Sequence, residues 1–304
     1  MKKSATKQNT KPFIGFIGQG FIGKNYADDF EARGYRVIRY AMEEPYRGNK
    51  EKIKECDIVF VAVPTPTTPK GFDYSIVESV LALVGGGKTA VVKSTLLPGT
   101  TEKLQKKYPG IFVFHSPEFL RERTASHDAA NPSRNIIGIP VESESTRERA
   151  KQVLAVLPSA PFSAVMRSRE AELIKYGGNN FLYVKVVYVN MLYDLAQKLG
   201  CSWEGVRDAL SADPRIGSSH MDPVHKSGHS KRPGRGAGGH CFIKDFSAFS
   251  NLYAELVGDN AGVRALTALQ EKNNDLLRHS GKDIDLLEGV FGAEKKAPRA
   301  PKRK

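Results

Sequence analysis

Cysteine is scarce in this chain: Cys56, Cys201 and Cys241 are the three in 304 residues, odd in number and far apart. That excludes the disulfide framework of a small secreted domain and points to a reducing, cytoplasmic setting. Long apolar runs are missing too. No stretch reaches the ~18 residues of a membrane span, and the opening MKKSATKQNTKPF is basic without the apolar core of a secretory signal. No membrane partner and no metal site are expected. What remains is a chain with 40% hydrophobic residues, enough to bury a sizeable core and of a length suited to two domains.

The net charge of +13 suggests a nucleic-acid binder until its placement is examined. Lys2, Lys3, Lys7 and Lys11 stand at one end, and Lys295, Lys296, Arg299, Lys302, Arg303 and Lys304 at the other. Ends such as KKAPRAPKRK hold too little apolar surface to fold. They are expected to be solvated, disordered tails, with weak polyanion contact as the alternative.

Between the tails, KPFIGFIGQGFIGKNYADDFEARGYRVIRYAM runs from an apolar strand through Gly18-Gln19-Gly20-Phe21-Ile22-Gly23 into a helical stretch and a second strand. This is the setting a GxGxxG motif needs to bind a dinucleotide. The first glycine allows the tight turn, the second admits a pyrophosphate, and the third permits close helix–strand packing. The acid that usually follows the second strand is replaced by Tyr40-Ala41-Met42, with Glu43, Glu44, Arg39 and Arg47 nearby. NAD is the expected cofactor, with NADP left open. Further apolar runs, CDIVFVAVP, KTAVVKST and GIFVFHSPEF, read as strands buried on both faces. Their ends VPTPTTP, KSTLLPGT and SPEFLRERTA fall where an open parallel sheet binds its ligand.

The second half reads differently. SREAELIKYGGNNFLYVKVVYVNMLYDLAQKLG is one long helical pattern broken by Gly177-Gly178, a pair costing about 2 kcal/mol against alanine. Close approach of a ligand or a partner helix is the expected reason. Lys175 and Asn179, four apart, share a face beside those glycines. Apolar residues on more than one face predict that this helix, over about residues 170–199, forms a homodimer. In GGHCFIKD, Cys241 sits among glycines and charges rather than in an apolar run. A reactive thiolate and an ordinary structural cysteine both fit that setting.

In order, GQGFIG, VPTPT, KSTLLPGT, SPEFLRERTASHDAANPSRNIIG, AELIKYGGNNFL, DPRIG and GGHCFIKD resemble the nucleotide-sugar 6-dehydrogenases, the family of UDP-glucose and GDP-mannose dehydrogenases, over about residues 12–275. The resemblance implies an α/β fold. A doubly wound Rossmann NAD-binding domain at 12–167 is followed by a helical central domain at 168–292 carrying dimerisation and the cysteine, with tails at 1–11 and 293–304. It implies NAD-dependent, four-electron oxidation of a nucleotide sugar, UDP-glucose first, at its C6 alcohol. Cys241 matches the nucleophile that carries the sugar as thiohemiacetal and thioester. Lys175 and Asn179 match residues that polarise the developing oxyanion, and Asp245 matches a group that orients water or the lysine. Glu118 resembles the acid–base residue of thioester hydrolysis, while Thr95 and Glu122 resemble groups lining the nicotinamide and the reacting carbon. Gly18, Gly20, Phe21, Ile22, Gly23, Val63, Thr65 and Thr67 resemble cofactor contacts. Phe119, Leu120, Gly238, Gly239 and, across a dimer interface, Arg215 resemble substrate contacts.

The chemistry agrees with those roles. Two hydrides must leave without the aldehyde escaping, and a thiol adduct holds it covalently between the two steps. Fixed donors near the oxygen stabilise its charge, at ~3 kcal/mol for a well-placed one. There are also departures. A third domain usually follows the KD motif, whereas here LTALQEKNNDLLRHSGKDIDLLEGVFG leads to the basic tail. Lys226, Lys231, Arg232 and Arg235 in HKSGHSKRPGRGAGG are a candidate diphosphate clamp, or a solvated loop. Ile243, Ala237 and Arg123 stand where proline, an aromatic and glycine are common in the family. Two alternatives stay open: a two-electron NAD(P)-dependent hydroxy-acid-type dehydrogenase, and a non-catalytic NAD-binding protein that keeps the fold.

Overall fold

The computed structural model describes residues 11–230 and 232–293. The expected tails, apart from Lys11 and residue 293, and the clamp candidate Lys231 lie outside the described residues. The contacts divide the chain into two compact units: residues up to Thr65 with Tyr74–Lys175, and Pro66–Asp73 with residues from Tyr176 onward.

The first unit is built on a seven-stranded sheet: β1 (Ile14–Ile17), β2 (Val37–Tyr40), β3 (Ile58–Val61), β4 (Thr89–Val92), β5 (Phe112–His115), β6 (Arg134–Ile139) and β7 (Phe162–Arg167). Their order is β2-β1-β3-β4-β5-β6-β7, parallel throughout except between β5 and β6. Every residue of IGFI, IVFV and TAVV is buried, as helices on both faces of a parallel sheet require. Those helices are α1 (Phe21–Ala32), α2 (Ser75–Leu81), α3 (Thr100–Lys107), α4 (Ala125–Ala130) and α5 (Glu144–Val156). Phe16, Phe30 and Phe60 form the centre of the core, with Phe16 stacked on Phe60 at 5.1 Å. The strand order reverses between β1 and β3, where a doubly wound sheet opens a ligand crevice at its carboxyl edge.

The long helix α6 (Ser168–Lys198) runs through Gly177-Gly178 without a break. An ideal Cβ on either glycine meets nothing within 4 Å among the described residues, so this chain gives the pair no packing reason. In the second unit α6 is joined by α7 (Trp203–Ser211), α8 (Gly239–Leu256), α9 (Asn260–Ser280) and α10 (Ile284–Phe291). Tyr183 of α6 stacks on Phe246 of α8 with ring centroids 3.9 Å apart, and Tyr193 meets Trp203 edge-on. A two-residue ladder, Thr67–Thr68 against Gly71–Phe72, packs on α8 and α10. A second ladder pairs Val224–His225 with Gly234–Arg235. No helix among the described residues is long and apolar enough to cross a membrane.

Candidate active site

The glycine-rich turn leaves β1 at the switch point. Gly18 has φ +91°, and a Cβ there would lie 2.2 Å from the Ala62 carbonyl oxygen. A Cβ on Gly23 would lie 1.9 Å from the Gly18 carbonyl, so α1 packs onto the turn only because that position is glycine. Gly20 differs: nothing among the described residues stands within 4 Å of its Cβ position, and as N-cap of α1 it offers no side chain to the helix amides. Open space before uncapped helix amides fits a pyrophosphate. Val63 and Ser94 tie two neighbouring strand-end loops together: the Val63 amide donates to Ser94 Oγ (3.0 Å), which donates to the Val63 carbonyl (2.7 Å). Arg39 is held by Asp28 and Glu31, each at 2.7 Å. Its charge is thus spent within the fold rather than kept for a further phosphate.

A buried polar cluster occupies the carboxyl ends of β4 and β5. Glu118 and Lys175, each 5% exposed, form an ion pair with Nζ 2.7 Å from Oε1; the same ammonium donates to the Glu118 carbonyl at 2.9 Å. The other carboxylate oxygen accepts from the Leu120 amide. Lys93 donates to Ser116 Oγ at 3.1 Å and stands 4.3 Å over the Tyr26 ring. Burial pulls its ammonium down to about 8, against the opposing pull of the Glu118 charge. His115 is fully buried. Burial first, then the Lys93 and Lys175 charges, push it down to about 3, so it is neutral. Thr95 is half-buried in the loop after β4, Phe119 and Leu120 are half-buried, and Glu122 is exposed in a turn.

One turn before Lys175 on α6, Glu172 is fully buried against the start of α3. It accepts from the Gly99 amide (2.6 Å), the Thr101 amide (2.8 Å) and Thr101 Oγ1 (2.6 Å). Gly99, the N-cap of α3, has no side chain to do this. Glu172 therefore caps α3 from another helix and fixes the end of KSTLLPGT. Burial pushes its carboxyl up to about 7, against the pull of those donors. Residue patterning pointed to none of Lys93, His115 or Glu172: their partners are brought to them by strand register and helix packing.

In the second unit, GGHCFIKD forms the N-cap and first turns of α8, with Cys241 exposed in the first turn. Asn179 donates to Asp245 Oδ2 at 2.6 Å, and Lys244 pairs with Asp245 Oδ1. One Asn179 amide hydrogen is thus committed to a carboxylate that is itself fully buried. Gly238 and Gly239, expected to admit substrate, have a nearer reason. A Cβ on Gly238 would lie 2.1 Å from Asp283 Oδ2, and Gly239 has φ +81°. The basic loop is also less of a clamp than expected, because Arg235 is tied to Asn190 Oδ1 (2.8 Å) and Asp194 (2.7 Å). Lys226 and Arg232 are exposed. Arg215 is exposed and held by Asp213 at 2.6 Å. Thr67 belongs to this unit's hairpin and is buried.

Residues 47–157 match the UDP-glucose/GDP-mannose dehydrogenase family, NAD binding domain, and residues 169–275 match the same family's central domain. The chain belongs to that family. Its cofactor is NAD. Lys175, Asn179, Cys241 and Asp245 fall inside the matched residues, whereas the glycine turn at 18–23 precedes them. The UDP-glucose 6-dehydrogenase of Rhizobium meliloti is 31% identical over 210 residues, 64% of this chain and 46% of that protein. That of Rickettsia prowazekii is 30% identical over 244 residues, 76% of this chain and 54% of its own length. The chain thus spans about half the length of the curated relatives it matches. Among solved structures, a UDP-glucose dehydrogenase from Pyrobaculum islandicum superposes with TM-score 0.75 at 27% identity, covering 95% of this chain and 73% of that one. A 3-hydroxyisobutyrate dehydrogenase of Mycobacterium tuberculosis shares the fold at 18% identity, with TM-score 0.67 and 92% and 98% coverage.

Proposed function

We propose that this chain is an NAD-dependent nucleotide-sugar dehydrogenase that oxidises the C6 alcohol of UDP-glucose to the carboxylate. The observation that carries the reading is the exposed Cys241 in the first turn of α8, in the same unit as the Asn179–Asp245 pair. A two-electron oxidation needs no thiol at that place. NAD, when bound, accepts hydride in each of two oxidations. After the first, the Cys241 thiolate adds to the C6 aldehyde, and the oxygen anion so formed is a thiohemiacetal. Its collapse with loss of hydride leaves a thioester. Water then adds, the C–S bond breaks, and the carboxylate leaves with the thiol regenerated. Overall, one alcohol, one water and two NAD give one carboxylate, two NADH and three protons.

Each residue has a role in that sequence. The remaining amide hydrogen of Asn179 and the Lys175 ammonium stabilise charge on the C6 oxygen. Asp245 holds Asn179 in one orientation. Glu118, in contact with Lys175, takes the proton of the attacking water. Thr95, Glu122 and the Gly18–Gly23 turn serve the cofactor, Val63, Thr65 and Thr67 flank it, and Phe119, Leu120, Gly238, Gly239 and Arg215 serve the sugar nucleotide. In domain terms, residues 12–167 bind NAD and 168–292 carry the thiol and the dimer contact.

A homodimer belongs to the same reading. Phe181, Tyr188 and Leu195, seven residues apart along one face of α6, are 69%, 61% and 54% exposed, and Leu199, just past the end of the helix, is 68% exposed. An apolar stripe of this length is what an isologous helix contact buries.

The deciding experiment follows NADH formed per sugar consumed with UDP-glucose, UDP-N-acetylmannosamine and GDP-mannose, for the wild type and Cys241→Ser. Two NADH per sugar, lost in the variant, is the expected result. One per sugar with an active Cys241→Ser would transfer the chain to the two-electron class.

A further inference from the structure

The residues that hold the turn before Cys241 come from the segment SGKDID between α9 and α10, beyond the residues matched to the central domain. Asp283 is 4% exposed and adopts the left-handed conformation, φ 54° and ψ 36°, which a residue other than glycine enters at a cost of about 1 kcal/mol or more. What the conformation achieves is visible at its carboxylate. Oδ2 accepts from the Gly239 amide at 2.7 Å and Oδ1 from Ser227 Oγ at 2.9 Å. The N-cap of α8, Gly238, has no side chain and could not have one, since its Cβ would meet Asp283 Oδ2. An aspartate 44 residues away in sequence thus takes the place of the missing N-cap on the helix that carries Cys241.

The neighbouring Lys282 continues the brace. Its side chain is 1% exposed, and Nζ donates to the Gly236 carbonyl at 2.9 Å and lies 2.9 Å from His225 Nε2. The chain from Gly234 to Gly239 wraps this side chain so closely that a Cβ on Gly234 would stand 2.8 Å from Lys282 Cβ. The GRGAGG run is therefore a cast around Lys282 and Asp283. Asn273 closes its other side, accepting from the Ala237 amide at 2.7 Å and donating to the Ala237 carbonyl at 3.0 Å.

We propose that Asp283, seated by Lys282, is a positioning residue for the nucleophile: its carboxylate fixes the Gly238-Gly239 entry to α8 and thereby the placement of Cys241. The role as nucleophile rests on the function proposed above; the brace itself does not. Full-length wild type, Asp283→Gly and Asp283→Asn decide the matter. Glycine accepts the left-handed backbone and removes only the carboxylate, whereas asparagine keeps an oxygen acceptor.

Hydrogen exchange read on a peptide covering residues 239–244 is expected to quicken roughly tenfold in Asp283→Gly, as loss of a helix cap implies. Exchange in the α9 segment should stay unchanged, and Asp283→Asn should regain most of the protection. With UDP-glucose as probe, kcat should fall at least roughly tenfold in Asp283→Gly, the scale of a misplaced reacting group, with KM for NAD unchanged and partial recovery in Asp283→Asn. Exchange within twofold of wild type at 239–244, equal quickening in α9, or an unaltered kcat would each overturn the proposal. Should Asp283→Gly not fold, Asp283→Asn read by the same peptides decides. If the wild type reduces no NAD with any sugar, the function fails while the exchange result still judges the brace.

Discussion

Lys175 and Glu118 face each other in the interior with only about one-twentieth of each residue exposed, Nζ lying 2.7 Å from Oε1 and 2.9 Å from the Glu118 carbonyl oxygen. One ammonium thus satisfies both the side chain and the backbone of the residue proposed to activate water. Removing it alone strands a charge. Lys175→Ala is expected to cost about 3–5 kcal/mol in urea unfolding, while Lys175→Met combined with Glu118→Gln should cost clearly less, because no unpaired charge remains. Equal losses in the two would mean that the pair acts by packing alone.

The three glycines of the turn should part company on substitution. Gly23→Ala forces a methyl into the Gly18 carbonyl and should lower stability by about 1–3 kcal/mol or more. Gly20→Ala meets nothing within 4 Å among the described residues, so its melting temperature should stay near that of the wild type while NAD affinity drops about tenfold or more, read by titration calorimetry. A Gly20→Ala protein that binds NAD normally would place the pyrophosphate elsewhere.

Two buried groups predict opposite responses to pH. His115 is pushed down to about 3, so the unfolded chain binds the extra proton as pH falls from the ordinary histidine range, and stability is lost on acidification. Glu172 is pushed up to about 7, so the folded chain holds the extra proton; its stabilisation is present below the ordinary carboxylate range and is lost as pH rises through 7. His115→Leu should flatten the acid limb of the unfolding free energy by up to about 1.4 kcal/mol per pH unit, and Glu172→Gln should flatten the limb between about 4.5 and 7. Unchanged slopes in both would mean that neither group titrates in the fold.

On α6, Phe181→Arg and Leu195→Arg place charge on the exposed apolar stripe and should convert a dimer to a monomer in light scattering, without changing the helix signal in circular dichroism. A wild type that is monomeric at working concentration would remove the dimer reading.

Gly177→Ala should stabilise the isolated chain against urea by up to about 1 kcal/mol, since helix propensity favours alanine and open space surrounds the site. If the glycine is there for a ligand or partner helix, the same variant should lose turnover or dimer formation.

Much of this was written in the residue order. Alternation of apolar runs with helical stretches dictated the doubly wound sheet, because strands buried on both faces must read as continuous apolar segments. The glycine turn was legible because close backbone approach demands glycine at particular spacings, and Cys241, Lys175 and Asn179 stood out as candidates through the order of the motifs that hold them. Tertiary structure decided what those residues rest on. Glu172 caps α3 across 73 residues of sequence from Gly99, and Asp283 caps α8 from beyond the matched domain. His115 is neutral because strand register carries it into the core. Gly238, expected as a substrate contact, also makes room for the Asp283 carboxylate. No local pattern encodes such pairings, since a hydrogen bond between distant segments exists only once the fold has brought donor and acceptor together and excluded water from both.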